Sequence, residues 1–135
     1  MIKKKCGIIL IDESTPEKKF LVVYSKKSKK FGFPKGTQEQ GETYTRTALR
    51  EFREETGYTF QNPNLKLHEK EKLYVLNNIY YIVRFQNNRS EFLQDEGIQD
   101  TKEIGYKLWM TKDEIFQIPK ANVNLGLNFY KKNIM

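Results

Sequence analysis

Arg50-Glu51-Phe52-Arg53-Glu54-Glu55-Thr56-Gly57 is the stretch on which the reading of this chain turns. From about Glu42 to Thr56 the chain reads as helical, and Gly57 supplies a C-terminal stop. At about 100° per residue, with Glu51 set at zero, Glu54 falls near about −60° and Glu55 near about +40°. Glu51, Glu54 and Glu55 therefore share one face roughly 100° wide. Ala48, Leu49 and Phe52 fall at roughly +60°, +160° and +100°, the face expected to dock on a sheet. Like charges at i,i+3 and i,i+4 repel, costing about 0.2–0.5 kcal/mol per pair in an isolated helix. Either this is a solvated acidic face, or a cation meets it. A hard divalent metal suits carboxylate oxygens, with Mg²⁺ or Mn²⁺ the natural candidates.

Outward from the helix, the pattern is mostly that of strands. Cys6 to Ile11 and Phe20 to Tyr24 read as buried strands joined by a polar loop, Asp12 to Lys19. Ser25 to Lys30 is a lysine-rich solvated loop, and in Phe31 to Gly36 alternating Gly, Pro and aromatic residues break any helix. Leu65 to Leu76 and Asn78 to Gln86 look like a hairpin turning at Asn77-Asn78. Ile104 to Met110 is a further strand, and Thr111 opens a short helix with Glu114 completing a capping box. Residues 121–133 make a weakly amphipathic last helix. The order implies an α/β fold, a mixed sheet covered by helices.

At 135 residues, the chain is expected to be a single domain, 1–135. Its 38% apolar and 13% aromatic content argues against disorder. Residues 1–35 hold ten Lys against three acids, whereas residues 36–58 hold five Glu against three Arg: an acidic island in a basic chain of net charge +7. No apolar run is long enough for a helical membrane span, and the apolar segment after Lys5 is too short for a secretory signal. One Cys and one His exclude an intramolecular disulfide and a His/Cys zinc site; Cys6 reads as a small buried strand residue. A reducing, cytoplasmic setting fits best. Monomer and homodimer both stay open.

The helix belongs to a longer pattern: Gly36, five residues, Glu42, seven residues, then Arg50-Glu51-Phe52-Arg53-Glu54-Glu55-Thr56-Gly57-Tyr58. This resembles the box of the Nudix hydrolases at every fixed position. Seven fixed residues at about 7% usage each recur by chance in roughly one chain in a million. Phe52 and Tyr58 stand where the family usually has aliphatic residues. The resemblance implies a Nudix-type α/β/α sandwich hydrolysing a nucleoside diphosphate linked to a second group, with more than one divalent ion. It implies that Glu51, Glu54 and Glu55 ligate metal or activate water, and that the Gly36 carbonyl is a backbone ligand. It further implies that Arg50 and Glu42 hold the loop–helix geometry, Arg50 through an ion pair, with Gly57 structural. A diphosphate repels hydroxide; clustered metal neutralises it, and a nearby carboxylate accepts the proton.

The flanks bear on the substrate. Gly32-Phe33-Pro34-Lys35-Gly36 resembles the entry to the box in dinucleoside tetraphosphate hydrolases and mRNA-decapping Nudix enzymes, making Lys35 a phosphate contact. Both subfamilies carry a Glu six residues before a Trp; here that is Glu103 before Trp109, expected as an extra metal ligand or base, with Glu96 as the fallback. The expected catalytic set is Glu51, Glu54, Glu103 and Arg50. Ile79-Tyr80-Tyr81-Ile82 resembles the strand that offers a Tyr to adenine in the dinucleotide hydrolases. One of Tyr80 and Tyr81 would then stack on a base and the other be core, or both are core. Phe33 is a further substrate-contact candidate, Phe31 and Tyr130 weaker ones, and Trp109 reads as core. The expected substrate is a dinucleoside polyphosphate of the diadenosine tetraphosphate type. The alternative is an RNA 5′ end, with Lys26, Lys27, Lys29, Lys30 and Lys35 tracking the backbone. Nucleoside triphosphate sanitation comes third. A binding module without catalysis is disfavoured, since every box carboxylate is present.

Overall fold

The computed structural model describes residues 3–68 and 71–135. Strands β1 (Lys5–Asp12) and β2 (Lys19–Ser25) hold the centre of the molecule. Their side chains alternate between two cores, and both faces are covered. Cys6, Ile8 and Leu10 join Leu21, Phe52, Ile79 and Tyr81 on one side. Ile9 and Ile11 join Phe20, Val22, Ile115, Leu127 and Tyr130 on the other. Helix α1 (Tyr44–Thr56) covers the first face; the short helix α3 (Lys112–Phe116) and helix α4 (Leu125–Asn133) cover the second. The α/β/α sandwich expected from the sequence is what forms.

The sheet is mixed. β1 runs parallel to β7 (Asn78–Phe85), which pairs antiparallel with β6 (Lys72–Val75). β2 runs antiparallel to β9 (Ile104–Thr111) along its whole length. A small separate ladder joins β5 (Tyr58–Phe60) to β8 (Leu93–Asp95), which the short helix α2 (Arg89–Phe92) precedes. Between β1 and β2 the registered pairs are only Ile11 with Phe20 and Asp12 with Lys19. Beyond them the strands part. The start of β1 pairs with β4 (Lys35–Thr37), and the end of β2 pairs with β3 (Lys30–Gly32). The sheet thus opens into a notch, and the loop preceding α1 enters at its edge.

Several sequence expectations shift. Thr43, rather than an earlier residue, caps α1 by accepting from the Arg46 N–H at 3.2 Å, so Glu42 belongs to the loop. Leu49, expected on the docking face, is 36% exposed. Thr47, Ala48, Phe52, Glu55 and Thr56 are the buried set, and Leu49 lies at the rim of the arc they occupy. The strand expected over Leu65 to Leu76 begins only at Lys72; its positions 69 and 70 lie outside the described residues. The hairpin turns one residue earlier than expected, at Leu76-Asn77, because Val75 pairs with Asn78. Asn77 fixes that choice: its side chain donates to the Lys3 carbonyl at 2.6 Å and its carbonyl accepts from Lys5 N at 3.2 Å. Leu76 takes the left-handed position, φ 53°. The last helix splits into a 3-10 turn (Lys120–Asn122) and α4, which Asn124 caps. The capping box of Thr111 and Glu114 forms as expected.

Candidate active site

The C-terminal end of α1 builds the site. A helix leaves its last carbonyls without partners, and they must find donors elsewhere. Gly57, at φ 75°, turns the chain out of the helix and returns its N–H to the Arg53 carbonyl at 2.8 Å. The Lys107 ammonium donates to the Thr56 carbonyl at 2.6 Å, and the loop after β8 meets two more. Gln99 and Asp100 donate their N–H groups to the Glu54 carbonyl at 3.0 and 2.9 Å, and Glu96 donates to Gly57 at 2.8 Å. A Cβ at Gly57 would collide with the Gly97 backbone, so the close approach of loop and helix requires glycine there. The tether carries two more acids to the helix. Carboxylate oxygens of Glu55, Asp100 and Glu103 come within 4.8 Å of one another.

The acids divide into two sets. Arg50 serves the first. It holds Glu42 with both guanidinium edges, Nε to Oε2 at 2.7 Å and Nη2 to Oε1 at 3.0 Å. It also reaches Glu51 at 2.9 Å, Glu54 at 3.3 Å and the Thr37 carbonyl at 3.0 Å. Hydrogen bonding from Arg50 brings the Glu42 carboxyl down to about 2, with the Glu39 N–H and the Thr47 hydroxyl contributing. The same bonds raise the Arg50 guanidinium above its ordinary value. Gly36 is what allows Glu51 into this arrangement, because a Cβ there would occupy the space of the Glu51 carboxylate.

No guanidinium reaches the second set among the described residues. Glu55 is only 4% exposed, and its carboxylate accepts from the Lys35 N–H at 3.1 Å. Burial pushes Glu55 up to about 8, and the neighbouring charges of Glu103 and Glu51 push the same way. Burial also raises Glu51, assisted by Glu54 and Glu103 and opposed by Arg50. Carboxylates kept this close in a water-poor site are the kind of donor set a divalent cation stabilises.

Two clefts meet at these residues. One, of about 370 Å³, has Glu51, Glu54, Glu55, Asp100 and Glu103 in its wall, with Gly36 and Gln38. The other is the notch between β2 and β4, about 540 Å³, where Lys5, Lys27, Lys30 and Lys35 line the sides, with Phe33 and Asn124. Lys5, Lys35, Glu55 and Glu103 belong to both. Burial and the charge of Lys5 lower the Lys35 ammonium below its ordinary value.

A family profile described as NUDIX domain matches residues 1–130. The chain belongs to the Nudix family. Among solved structures, an Ap4A hydrolase of C. elegans in a binary complex is 19% identical, with a TM-score of 0.62 over 87% of this chain and 85% of that one. A MutT Nudix hydrolase of Burkholderia pseudomallei is 14% identical, with a TM-score of 0.64 over 98% of each chain. The NUDIX domain of Shewanella oneidensis NrtR, solved with ADP-ribose, is 14% identical, with a TM-score of 0.59 over 95% of this chain and 82% of that one. No curated sequence matches. The likenesses at these identities concern the fold. The protein is a Nudix hydrolase, acting on pyrophosphate bonds.

Of the Nudix box residues, Gly36, Glu51, Glu54 and Glu55 line one cleft, Arg50 ties Glu42 to Glu51 and Glu54 beside it, and Gly57 closes the helix against Gly97. Glu103 joins them and Glu96 does not: it pairs with Arg53 at 3.2 Å on the outer surface. Asp100 escaped sequence reading. Its only signal was an acidic loop, Asp95, Glu96, Asp100 and Glu103, between two strands. The aromatic expectations need correction. Tyr80 is 0% and Tyr81 1% exposed, one in each core, so neither presents a ring face to a base. β7 is covered on both faces, and alternation therefore delivers both tyrosines to an interior. Tyr130 is buried against Phe20 and Phe33, and Phe33, though it lines the notch, is only 1% exposed. Trp109 packs on the core with Arg89 above its ring at 4.2 Å. Cys6 is buried, and desolvation pushes its thiol up to about 11, which leaves it unreactive.

Nudix enzymes generally use divalent metals, and the donor set here fits them. It consists of carboxylate oxygens, three of them mutually within ligand-sharing distance, and its buried member Glu55 is pushed up by burial and by the neighbouring Glu103 and Glu51 charges. Among the described residues, no helix is long and apolar enough to cross a membrane.

Proposed function

We propose that this Nudix hydrolase cleaves a phosphoanhydride bond in a dinucleoside polyphosphate of the diadenosine tetraphosphate type, with Mg²⁺ or Mn²⁺, as a single catalytic domain spanning 1–135. The observation that carries the reading is the junction of the two clefts. An acidic wall able to hold cations meets a lysine-lined notch at Lys5, Lys35, Glu55 and Glu103. A long polyphosphate suits that junction, with its reacting phosphates at the acids and its remaining charge along the lysines. The fold of the C. elegans Ap4A hydrolase supports the choice of substrate class.

Glu55, Asp100 and Glu103, with Glu51, Glu54 and the Gly36 carbonyl, would hold the ions. Bound there, divalent ions neutralise the diphosphate and acidify water. The chain's own part is positional. Arg50 fixes Glu51 and Glu54 relative to the Gly36 loop, so the carboxylates face the phosphates from one side. Of these, Glu51, Glu54 and Glu103 are the candidates to accept the proton of the attacking water. Lys35, lowered by burial and close to both clefts, contacts the phosphate adjoining the cleaved bond. Buried Glu55 acts as a ligand.

An RNA 5′ end is the second reading, favoured by Lys27 and Lys30 standing in the notch wall. Product analysis separates the two. Purified protein with Mg²⁺ is offered diadenosine tetraphosphate, cap-labelled RNA and nucleoside triphosphates. ATP plus AMP from the dinucleotide supports the first reading. Turnover of the RNA alone, releasing m⁷GDP, replaces it with the second, and turnover of triphosphates alone replaces both.

A further inference from the structure

An aromatic cluster lies just outside the notch, and none of the chemistry above uses it. Tyr24 of β2 and Tyr106 of β9 are cross-strand partners, their rings nearly parallel at 11° with centroids 5.0 Å apart. Phe31 of β3 tilts against Tyr24 at 4.9 Å and meets Tyr106 edge-on at 6.2 Å. Tyr106 is 45% exposed. Tyr24 stacks on one face of its ring, and nearly half of the residue stays accessible to solvent. The β2–β9 register shifts at this point, Ser25 pairing with Ile104, so Gly105 is the extra residue beside Tyr106 and brings no side chain to cover it.

A row of cations adjoins the rings. Between Glu17 and Glu39 the chain has no acidic residue and seven Lys. Lys27, Lys29 and Lys30 are exposed and make no ion pair among the described residues. Their turn is held rather than loose. Lys26 N donates to the Glu103 carbonyl at 2.7 Å, Lys29 N to Ser25 at 2.8 Å, and the Asn122 side chain to the Lys29 carbonyl at 3.2 Å. A fixed row of unpaired lysines on the turn next to an exposed tyrosine matches a base attached to a phosphate backbone.

We propose that Tyr106, backed by Tyr24 and Phe31, together with Lys27, Lys29 and Lys30, forms a binding surface for a single-stranded polynucleotide. The geometry selects a polymer over a small nucleotide. Val23 and Ser25 line the notch, whereas Tyr24, between them, points to the opposite face of β2. A ligand touching both the notch and the rings must pass over the turn, and Lys27, Ser28 and Lys30 of that turn line the notch. A strand of several nucleotides makes that passage, with phosphates on the lysines and a base on Tyr106. The surface is independent of which anhydride the acids cleave.

The test is fluorescence anisotropy with a labelled single-stranded RNA of about 12 nucleotides, in EDTA so that no cleavage intervenes. Tyr106→Ala should weaken binding roughly 5- to 100-fold, the range of one lost base stack, and Tyr106→Phe should stay within about twofold of the wild type. Replacing Lys27, Lys29 and Lys30 by Gln should reduce the log–log salt slope by about 2. Hydrolysis of diadenosine tetraphosphate, or whichever small nucleotide the enzyme turns over, should be unchanged in Tyr106→Ala. Circular dichroism melting confirms that each variant is folded. The proposal is overturned if Tyr106→Ala binds the strand as the wild type does. It is equally overturned if inorganic tripolyphosphate competes as well as the strand at equal phosphate, since charge alone would then explain the binding.

Discussion

Replacing Arg50 by Ala leaves Glu42, Glu51 and Glu54 facing one another with their shared cation gone. The wild-type guanidinium makes a two-edged contact with Glu42 and further contacts to Glu51, Glu54 and the Thr37 carbonyl. A charge-assisted bond is worth about 1.5–3 kcal/mol when removed, and breaking a buried pair costs about 3–5 kcal/mol. Arg50 retains 23% side-chain exposure and Glu42 16%, so water screens part of the loss, and about 2–4 kcal/mol is expected. At about 3–5 °C per kcal/mol for a chain of this size, the melting midpoint falls by roughly 6–20 °C. Arg50→Lys keeps the charge without the two-edged geometry and should fall between. The stability profile against pH adds a second readout. Glu42 has a folded value of about 2, below its unfolded one. Its contribution is complete above the unfolded value of about 4.3 and disappears as the pH falls toward 2, so that acid limb should shrink in Arg50→Ala. Thermal melts of the three proteins across acid pH provide the measurement. An Arg50→Ala protein melting within about 2 °C of the wild type, with an unaltered acid limb, would refute the reasoning.

Two further outcomes follow from the carboxylates that Arg50 does not serve. Glu55 is pushed up to about 8, so in EDTA the folded state holds a proton that the unfolded chain releases above about 4.3. Stability without metal should therefore decline as pH rises from about 4.3 to 8, and millimolar Mg²⁺ should flatten the decline; a flat profile in EDTA would count against a buried Glu55 held protonated near neutral pH. Gly36→Ala places a Cβ where the Glu51 carboxylate lies. Glu51 is a flexible chain end, so stability in urea should change by less than about 1 kcal/mol, while kcat at saturating Mg²⁺ falls about tenfold or more.

The central helix was legible because thirteen residues give a periodicity time to show, and its wheel correctly gathered Glu51, Glu54 and Glu55. The wheel misassigned Leu49 because a docking face is set by what the helix meets, here an arc centred between Ala48 and Phe52. Strands β3, β4, β5 and β8 are three residues each and carry no readable alternation. Tyr80 and Tyr81 were misread for a different reason. Alternation assigns opposite faces, but sequence does not reveal that β7 is covered on both. Asp100 reaches the site because its own N–H and that of Gln99 donate to the Glu54 carbonyl, a backbone contact that leaves no side-chain signature. Motif residues were thus readable where side chains make the site, and unreadable where the main chain does.

Hydrolysis by the doubly substituted Glu54→Gln, Glu55→Gln protein tests the account most directly. Steady-state cleavage of the preferred nucleotide would be followed in Mg²⁺, with the melting curve recorded on the same preparation. The account predicts a folded protein whose kcat falls by at least about a hundredfold, because the carboxylates proposed to hold the ions and orient water have lost their charge. A folded double variant that hydrolyses at the wild-type rate would contradict it.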